Sequence, residues 1–267
     1  MFKYELGFLG YGNMAKAILS GLVKKYFPLD KLIVYSPSIA NRDMIDGIKV
    51  AKSPEELFAL AENVCLAVKP QIFKSEIIPI MQNIENKIVI SIMAGIAPDL
   101  INVSIGNKDV KVCRVMPNTP ATVGEGVTLV LKDNALDESV YEYVYSIFKT
   151  IGKTVLVDEK NFDVASALTG SGPALVEYFV HSMIAFGIDS GLSYKDSRKM
   201  VLQTFKGSID LINHSKNEFI EDMIQKVCSK GGMTIQAINY LESKDVDVII
   251  RKSLKAAKEK AEELGNR

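Results

Sequence analysis

The sequence predicts an α/β protein in which a doubly wound parallel sheet is followed by an all-helical domain. Short runs rich in valine and isoleucine alternate with helical patterns through the first half of the chain. Such alternation is typical of parallel strands joined by right-handed helical crossovers. From about residue 160 the strand patterns stop, and only helical patterns follow. We therefore expect two domains, 1–158 and 159–267.

The predicted elements follow this division. The strand patterns lie at 6–9, 31–35, 63–68, 87–92, 110–115, 126–131 and 153–157. Helical patterns separate the early strands, for example at 54–61 and 73–82. The second half carries further helical patterns, at 160–168, 173–190, 194–214, 217–227, 232–242 and 246–264. The last of these is rich in lysine and glutamate at i,i+4 spacing, which is typical of a solvated helix face.

A glycine-rich turn follows the first predicted strand. Residues 6–9 are apolar, Gly10-x-Gly12-x-x-Ala15 comes next, and a helical pattern begins near Met14. A strand, a tight glycine turn and a helix N-terminus form a cradle for a pyrophosphate, because glycine lets the anion approach the backbone and the helix dipole attracts it. A glycine turn alone also ends strands in many α/β proteins. Its position after a strand and before a helix favours a dinucleotide site.

Composition and charge exclude several classes of protein. The 267 residues carry 32 basic and 32 acidic side chains, so no bulk charge favours nucleic acid or an anionic membrane as a partner. No apolar run approaches the roughly 20 residues of a membrane-spanning helix, and no signal peptide is evident. The two histidines form no cluster with cysteine, so we expect no metal site. A cytoplasmic location fits the three separated cysteines, of which Cys65 and Cys113 are expected to be core thiols.

The end of the second predicted strand bears on the choice of dinucleotide. NAD sites carry an acidic residue about 20 residues after the glycine turn, where it bonds the ribose 2′-hydroxyl. Here residues 31–38 contain no aspartate or glutamate, Ser36 is small and uncharged, and Arg42 follows. This pattern leaves room for a 2′-phosphate and favours NADPH, with NADH as the alternative. Arg42 has an equally good interpretation as an ordinary surface arginine.

Three rigid or small segments follow later strands of the predicted sheet. Residues 68–70 read Val-Lys-Pro, Ala94 and Gly95 follow the next strand, and Asn118 lies in a loop between two prolines. Each segment alone could be only a turn. Because the carboxyl ends of parallel strands border the ligand crevice, three such segments in succession favour a cofactor site at this edge of the sheet.

Two glycine-rich loops interrupt the helical half. Residues 168–174 contain two glycines, and Pro173 is expected near the first position of a new helix. Residues 228–237 place Gly231 and Gly232 before a helix that contains Thr234. Free N–H groups at a helix start suit a carboxylate, and the nearby hydroxyl makes this second loop the better candidate for a site. Both loops also have a simpler interpretation as connections between helices.

Taken together, these motifs resemble those of the pyrroline-5-carboxylate reductase family. The segments GFLGYGNMAKAI, AVKP, MAGI, MPNTPATVGEG, LTGSGPA, QTFKGS and CSKGGMTIQAINYLE occur in the order and at the spacing of that family and span nearly the whole chain. The resemblance implies reduction of the cyclic imine Δ1-pyrroline-5-carboxylate to L-proline by NADPH or NADH, the last step of proline biosynthesis. It also implies an N-terminal Rossmann domain and a C-terminal helical domain that forms a homodimer. The family's active site lies at the dimer interface, and rings of dimers are common.

The resemblance also assigns residues to a cofactor site and a substrate site. It places the cofactor at Gly10, Tyr11, Gly12, Asn13, Met14, Ser36, Ala67, Val68, Lys69, Pro70, Ala94, Gly95 and Asn118. It places the substrate carboxylate at the backbone N–H groups of Gly231, Gly232 and Met233. The Thr234 hydroxyl is implied to lie near the ring nitrogen of the substrate, as the catalytic residue.

The chain departs from the family pattern at four positions. Lys230 stands where proline is usual, and Met233 where threonine or alanine is usual. Leu175 replaces an aromatic residue, and His181 replaces an acidic one. These departures bear on the range of substrates rather than on the reaction. His181 lies on a mostly apolar helical pattern, so we expect a packed, hydrogen-bonded histidine rather than a catalyst.

Two other functions fit the same two-domain plan. A hydroxyacid dehydrogenase is expected to carry a catalytic lysine on the first long helix of the second domain, and residues 173–190 contain no lysine. A nucleotide-binding paralogue without catalytic activity would have no reason to keep the loops at 116–120 and 228–234 intact. Both features favour an imine reductase.

Overall fold

The computed structural model of the protein describes residues 2–37, 43–81, 84–85, 87–106 and 109–265. The chain divides into two compact units, one formed by Met1–Gly170 with Ala257–Arg267 and the other by Ser171–Ala256. A strand ends at Asp158, and a helix begins at Glu159 and continues past Gly170. The domain boundary at 158 stays a prediction.

One sheet forms the centre of the first unit. Within the described residues it has eight strands in the order β3-β2-β1-β4-β5-β6-β7-β8. Their bounds are β1 Tyr4–Leu9, β2 Leu32–Tyr35, β3 Lys49–Val50, β4 Ala61–Leu66, β5 Ile88–Ser91, β6 Lys111–Met116, β7 Gly126–Lys132 and β8 Gly152–Asp158. The predicted α/β class is confirmed, and every predicted strand is present with ends shifted by at most two residues.

The sheet differs from a purely parallel one at a single pair. β7 runs antiparallel to β6, with Val115 opposite Val130, whereas the other neighbouring strands are parallel. Only residues 117–125 connect the two strands. A parallel crossover needs a dozen or more residues, whereas an antiparallel return needs only a short loop. β3, which was not predicted, is two exposed residues long at the sheet edge.

Helices cover both faces of this sheet. They are α1 Asn13–Lys24, α2 Pro54–Leu60, α3 Ile78–Met81, which continues a π-helical turn at Phe73–Ile77, α4 Pro98–Ile105 and α5 Glu138–Phe148. On one face, Phe8 of β1 is buried with Ile18 of α1 and Val144 of α5. On the other face, Leu9 is buried with Leu57 of α2 and Ile101 of α4. The first unit is therefore a doubly wound sheet between two helical layers.

The predicted core thiols are confirmed. Cys65 and Cys113 are buried on the same face as Phe8. Burial raises the pKa of the Cys65 thiol well above its ordinary range and that of Cys113 to about 12, because an apolar environment disfavours the thiolate. Both side chains therefore act as small apolar groups of the core.

The rest of the chain is helical. Its helices are α6 Glu159–Asp189, α7 Tyr194–His214, α8 Ile220–Val227, α9 Met233–Ser243 and α10 Val246–Gly265. Phe162 of α6 packs in the first unit with Leu129 and Leu131 of β7. In the part of the chain that the structure describes, no helix is both long enough and apolar enough to cross a membrane.

The prediction of a helix break at 168–174 is wrong. α6 is continuous over 31 residues, and Pro173 lies inside it rather than at its start. A proline inside a helix has no N–H to donate to the carbonyl four residues earlier, which here is Thr169. That carbonyl has another donor, the side-chain amide of Asn118 at 3.0 Å. The helix continues through the proline with this carbonyl hydrogen-bonded.

Candidate active site

The carboxyl ends of the parallel strands meet at one edge of the sheet. β1 lies between β2 and β4, so the chain order reverses beside β1, which is where open α/β sheets form their ligand crevice. Backbone hydrogen bonds hold these ends together. The Gly10 N–H donates to the Tyr35 carbonyl at 2.7 Å, and the Ala67 N–H donates to the Leu9 carbonyl at 2.8 Å.

The two glycines of the turn have different physical reasons to be glycine. Gly10 has φ of 105°, and a Cβ there would overlap the carbonyl oxygen of Ala67. Gly12 has an ordinary φ of −81° at the N-cap of α1, and a Cβ there would meet nothing within 4 Å. The backbone at Gly12 therefore faces open space next to a helix N-terminus. A dinucleotide pyrophosphate fits this cradle, because the free N–H groups and the helix dipole both point into that space.

The other turn residues divide between cradle and core. Asn13 is exposed at the first position of α1, and Met14 packs against the core. Tyr11 is only 2% exposed, so its side chain belongs to the core rather than to the cradle. Its hydroxyl donates to the Asp43 carbonyl and accepts from the Ile45 N–H, both at 3.3 Å.

Tyr11 thereby anchors the segment that follows β2 to the glycine turn. The Lys16 ammonium of α1 adds an ion pair with the Asp43 carboxylate at 2.9 Å. Asp43 is largely exposed and Lys16 is partly exposed, so this pair contributes little by itself. The glycine turn and the segment from residue 43 onward are thus held together mainly by the buried Tyr11, whose inward orientation no local pattern predicts.

A cleft of about 450 Å³ lies beside the ends of β1, β2 and β4. Its lining includes Gly10, Tyr35, Pro37 and Val68. Ser36, the residue expected beside the adenosine ribose, is buried directly after β2. Arg42 lies outside the described residues. The carboxylates of Glu55 and Glu76 also line this cleft, and the sequence did not identify either of them.

The later cofactor candidates occupy loops at the same edge. Ala67 and Val68 are half-buried after β4, Lys69 is exposed, and Pro70 begins a short 3₁₀ turn. The Ile92 N–H donates to the Leu66 carbonyl at 3.2 Å, which joins the ends of β4 and β5. Beyond Ile92, Ala94 and Gly95 form the turn that leads to α4, and Gly95 has φ of 74°.

Asn118 follows β6 and uses its side-chain amide within the protein. The Oδ1 atom accepts from the Val127 N–H at 2.8 Å, and Nδ2 donates to the Thr169 carbonyl at 3.0 Å. A cofactor contact by Asn118 stays a prediction. The structure adds Thr169, which no local pattern singles out, because the two hydrogen-bonded groups are 51 residues apart.

The predicted substrate loop belongs to the second unit. Gly231 has φ of 73°, and Gly232 is the N-cap of α9, with its N–H bonded to the Ser229 carbonyl at 2.9 Å. Met233, 91% exposed, and the exposed Thr234 occupy the first turn of α9. The start of α9 thus presents backbone N–H groups and one hydroxyl on a surface, an arrangement that suits a small carboxylate.

The structure also locates the departures from the family pattern. Lys230 is exposed next to the substrate loop, and Leu175 is half-buried on α6. The expectation of a packed His181 is wrong, because this side chain is exposed. Neighbouring positions on that part of α6 are apolar and exposed as well, so a local pattern of apolar residues does not by itself show burial in the chain.

An apolar groove of about 720 Å³ lies in the second unit. Its lining includes Tyr178, Phe179, Met183, Phe186, Met200 and Leu241. Phe186 is 73% exposed and Tyr178 is 68% exposed. Aromatic side chains of this size are rarely left in water as a contiguous patch, so this groove has the character of a protein–protein interface.

Comparison with known proteins agrees with these features. Residues 159–264 match the family described as pyrroline-5-carboxylate reductase dimerisation, and residues 5–95 match the family described as NADP oxidoreductase, coenzyme F420-dependent.

The relatives match over their whole length. The pyrroline-5-carboxylate reductase of Synechocystis is 33% identical over 98% of this chain and 99% of its own. The pyrroline-5-carboxylate reductase of Escherichia coli is 32% identical over 97% of this chain and 98% of its own. The crystal structure of Plasmodium falciparum pyrroline carboxylate reductase with NADP bound is 30% identical and covers 99% of this chain and 100% of its own, with a TM-score of 0.87. The chain therefore belongs to the pyrroline-5-carboxylate reductase family.

Proposed function

We propose that this chain reduces Δ1-pyrroline-5-carboxylate to L-proline with NADPH, as the last step of proline biosynthesis. The observation that carries the proposal is 33% identity to a reductase of that name over 98% of this chain. The fold supports it, because the motif-bearing loops of the first unit lie at the carboxyl edge of the sheet, where a nicotinamide cofactor binds in such folds.

The cofactor is held by the glycine turn and the neighbouring strand ends. The Gly12 backbone and the first N–H groups of α1 bind the pyrophosphate. Ser36 borders the ribose, and the absence of a carboxylate at 31–38 favours a 2′-phosphate over a free hydroxyl, so NADPH is the preferred cofactor and NADH the alternative. The P. falciparum relative, whose crystal structure has NADP bound, supports this choice. When bound, the reduced nicotinamide supplies the hydride.

The substrate is held by the loop before α9. The backbone N–H groups of Gly231 and Met233 bind its carboxylate, aided by the positive end of the α9 dipole, while the Gly232 N–H bonds the Ser229 carbonyl and shapes the loop. The Thr234 hydroxyl hydrogen-bonds the ring nitrogen and fixes which face of the ring is presented. A protonated cyclic imine already carries its electrophilic charge, so the main task of these residues is to orient the ring and exclude water.

The active protein is a homodimer, and its active site lies at the dimer interface. The match of residues 159–264 to a dimerisation family supports this assembly, as does the exposed apolar groove around Phe186. Rings of dimers and a cytoplasmic location are part of the same proposal.

The direct test is a steady-state assay with the purified protein. With Δ1-pyrroline-5-carboxylate as substrate, we expect oxidation of NADPH and formation of L-proline, and a higher kcat/KM with NADPH than with NADH. A folded protein that binds NADPH but forms no proline would instead be a nucleotide-binding paralogue. A preference for NADH would contradict the interpretation of Ser36.

Gly12→Glu is expected to remove cofactor binding and to leave the fold intact. The structure has open space at this position and an ordinary backbone angle, so the side chain fits the folded protein but places a carboxylate where the pyrophosphate must lie. Repulsion of this kind weakens binding by about 100-fold or more. Fluorescence titration with NADPH measures it, thermal unfolding checks the fold, and Gly12→Ala should give a smaller loss. An unchanged NADPH affinity in Gly12→Glu would show that the pyrophosphate does not bind at this turn.

Thr234→Ala is expected to lower kcat/KM by roughly 10- to 150-fold. The substitution removes one hydrogen bond to a charged group, which is worth about 1.5–3 kcal/mol. NADPH affinity should be unchanged, because the cofactor residues belong to the first unit. Thr234→Ser keeps the hydroxyl and serves as the matched control, with near-normal kinetics. A folded Thr234→Ala protein with wild-type kcat and KM would exclude this residue from the active site.

Phe186→Asp is expected to shift the protein from dimer to monomer. Phe186 is 73% exposed in the single chain, and a carboxylate in a buried apolar interface is strongly unfavourable. Val103 on α4 is 74% exposed in the first unit, so Val103→Asp is the matched control and should stay dimeric. Analytical ultracentrifugation distinguishes the two species. A Phe186→Asp protein that stays dimeric would show that the interface lies on another surface.

A further inference from the structure

A carbonyl of α6 is released from the helix by proline. Pro173 lies inside α6 and cannot donate to the carbonyl of Thr169, four residues earlier. The pyrrolidine ring also crowds that carbonyl and tilts it away from the helix. The Thr169 hydroxyl does not replace the missing donor, since it donates to the Ala165 carbonyl at 3.0 Å. The Thr169 carbonyl therefore lacks its usual donor in the helix and is available to a donor from outside it.

The donor is the side chain of Asn118. Its Nδ2 atom lies 3.0 Å from the Thr169 oxygen, while its Oδ1 atom accepts from the Val127 N–H of β7 at 2.8 Å. One planar amide thus joins the loop after β6 to both β7 and α6. The pair of bonds also fixes the orientation of the amide, because only the nitrogen can donate to a carbonyl and only the oxygen can accept from an N–H.

The same loop is attached to the cofactor cradle. Ala121, in the 3₁₀ turn that Asn118 caps, is 2% exposed and is buried in one cluster with Tyr11 and Ala15 of the glycine turn and α1. Ala121 thus packs the loop against α1, and the two ends of the Asn118 amide hydrogen-bond it to β7 and to α6. Both of these hydrogen bonds depend on one side chain.

We propose that Asn118 is a positioning residue, which locks the loop after β6 onto the carbonyl that Pro173 leaves free and so fixes this loop, at the cofactor edge of the sheet, for hydride transfer. The inference rests on the proposed function, because it assigns the loop to the cofactor side of that active site. Asn118 acts through the loop and not on the substrate. We call the pair of Asn118 and Thr169 the loop lock.

Hydride transfer is sensitive to the loop lock because it depends on near-attack geometry, and displacements of about 1 Å cost roughly 100-fold in rate. The tight part of cofactor binding lies elsewhere, at the glycine turn. Loss of the lock should therefore reduce kcat much more than it weakens NADPH binding. A purely structural role would lower thermal stability and leave kcat of the folded enzyme unchanged.

The first variant is Asn118→Asp, which is nearly isosteric. Its carboxylate still accepts from the Val127 N–H but turns a second oxygen toward the Thr169 carbonyl. We expect kcat to fall by about 10-fold or more, with the NADPH dissociation constant changed by less than about threefold. Thr122→Ala is the control in the same loop, because the exposed Thr122 hydroxyl bonds the Thr119 carbonyl within the loop itself. This control should keep wild-type kcat.

The second variant, Pro173→Ala, tests the origin of the lock. Alanine restores an N–H that can bond the Thr169 carbonyl within α6 and compete with Asn118. Pro173→Ala alone should lower kcat, and Asn118→Asp added to it should cost less than about threefold more, because the lock is already open. The same non-additivity should appear in the unfolding midpoints of the variants in thermal melts. The proposal is overturned if the kcat losses of the two single variants multiply in the double variant. It is also overturned if the Asn118→Asp enzyme has a normal kcat.

The two proposals fail in different ways. If the wild-type protein forms no proline, the proposed function fails, whereas the unfolding midpoints still decide whether residues 118 and 173 are coupled. If the wild-type protein is active and its midpoints show no coupling, only the loop lock fails.

Discussion

The close approach of Gly10 to the carbonyl of Ala67 is the constraint on which the cofactor side of the protein depends. It brings the carboxyl ends of β1 and β4 together at the point where the order of the sheet reverses. The Gly10 N–H also bonds the Tyr35 carbonyl, which adds the end of β2. Any side chain at Gly10 would separate these ends. Because Gly10 has no side chain, Gly12 and Ser36, which follow β1 and β2, lie at the same edge of the sheet.

The sequence predicted those parts of the fold whose signals are local. A strand buried on both faces of a parallel sheet is a continuous apolar run, so the runs that became β1, β4 and β6 were visible directly. The glycine turn was visible for the same reason, since its steric demands concern consecutive residues. β3 was missed because two exposed residues carry no pattern. The inward side chain of Tyr11 was missed because its partners lie beyond residue 42.

The error at 168–174 has a different origin. Glycine and proline do mark helix ends when the released carbonyl must turn to water, and the local pattern was interpreted in that way. Here the released carbonyl of Thr169 has a donor 51 residues away in sequence, Asn118, so the helix need not end. The hydrophobic periodicity of the sequence cannot predict a hydrogen bond between residues so far apart. Asn118 itself was assigned to the cofactor site from its motif, whereas neither of its two hydrogen-bond partners was predicted.

The helical unit 171–256 has only a small apolar core of its own. Among the described residues its buried apolar side chains are Ile184 and Val201, whereas Tyr178 and Phe186 are largely exposed to water. A helical unit of this size with so small a core gains little stability from its own packing. Covering the groove with a second copy supplies the missing burial. Because the loop before α9 belongs to this same unit, the proposed dimer stabilises the residues that would hold the substrate carboxylate.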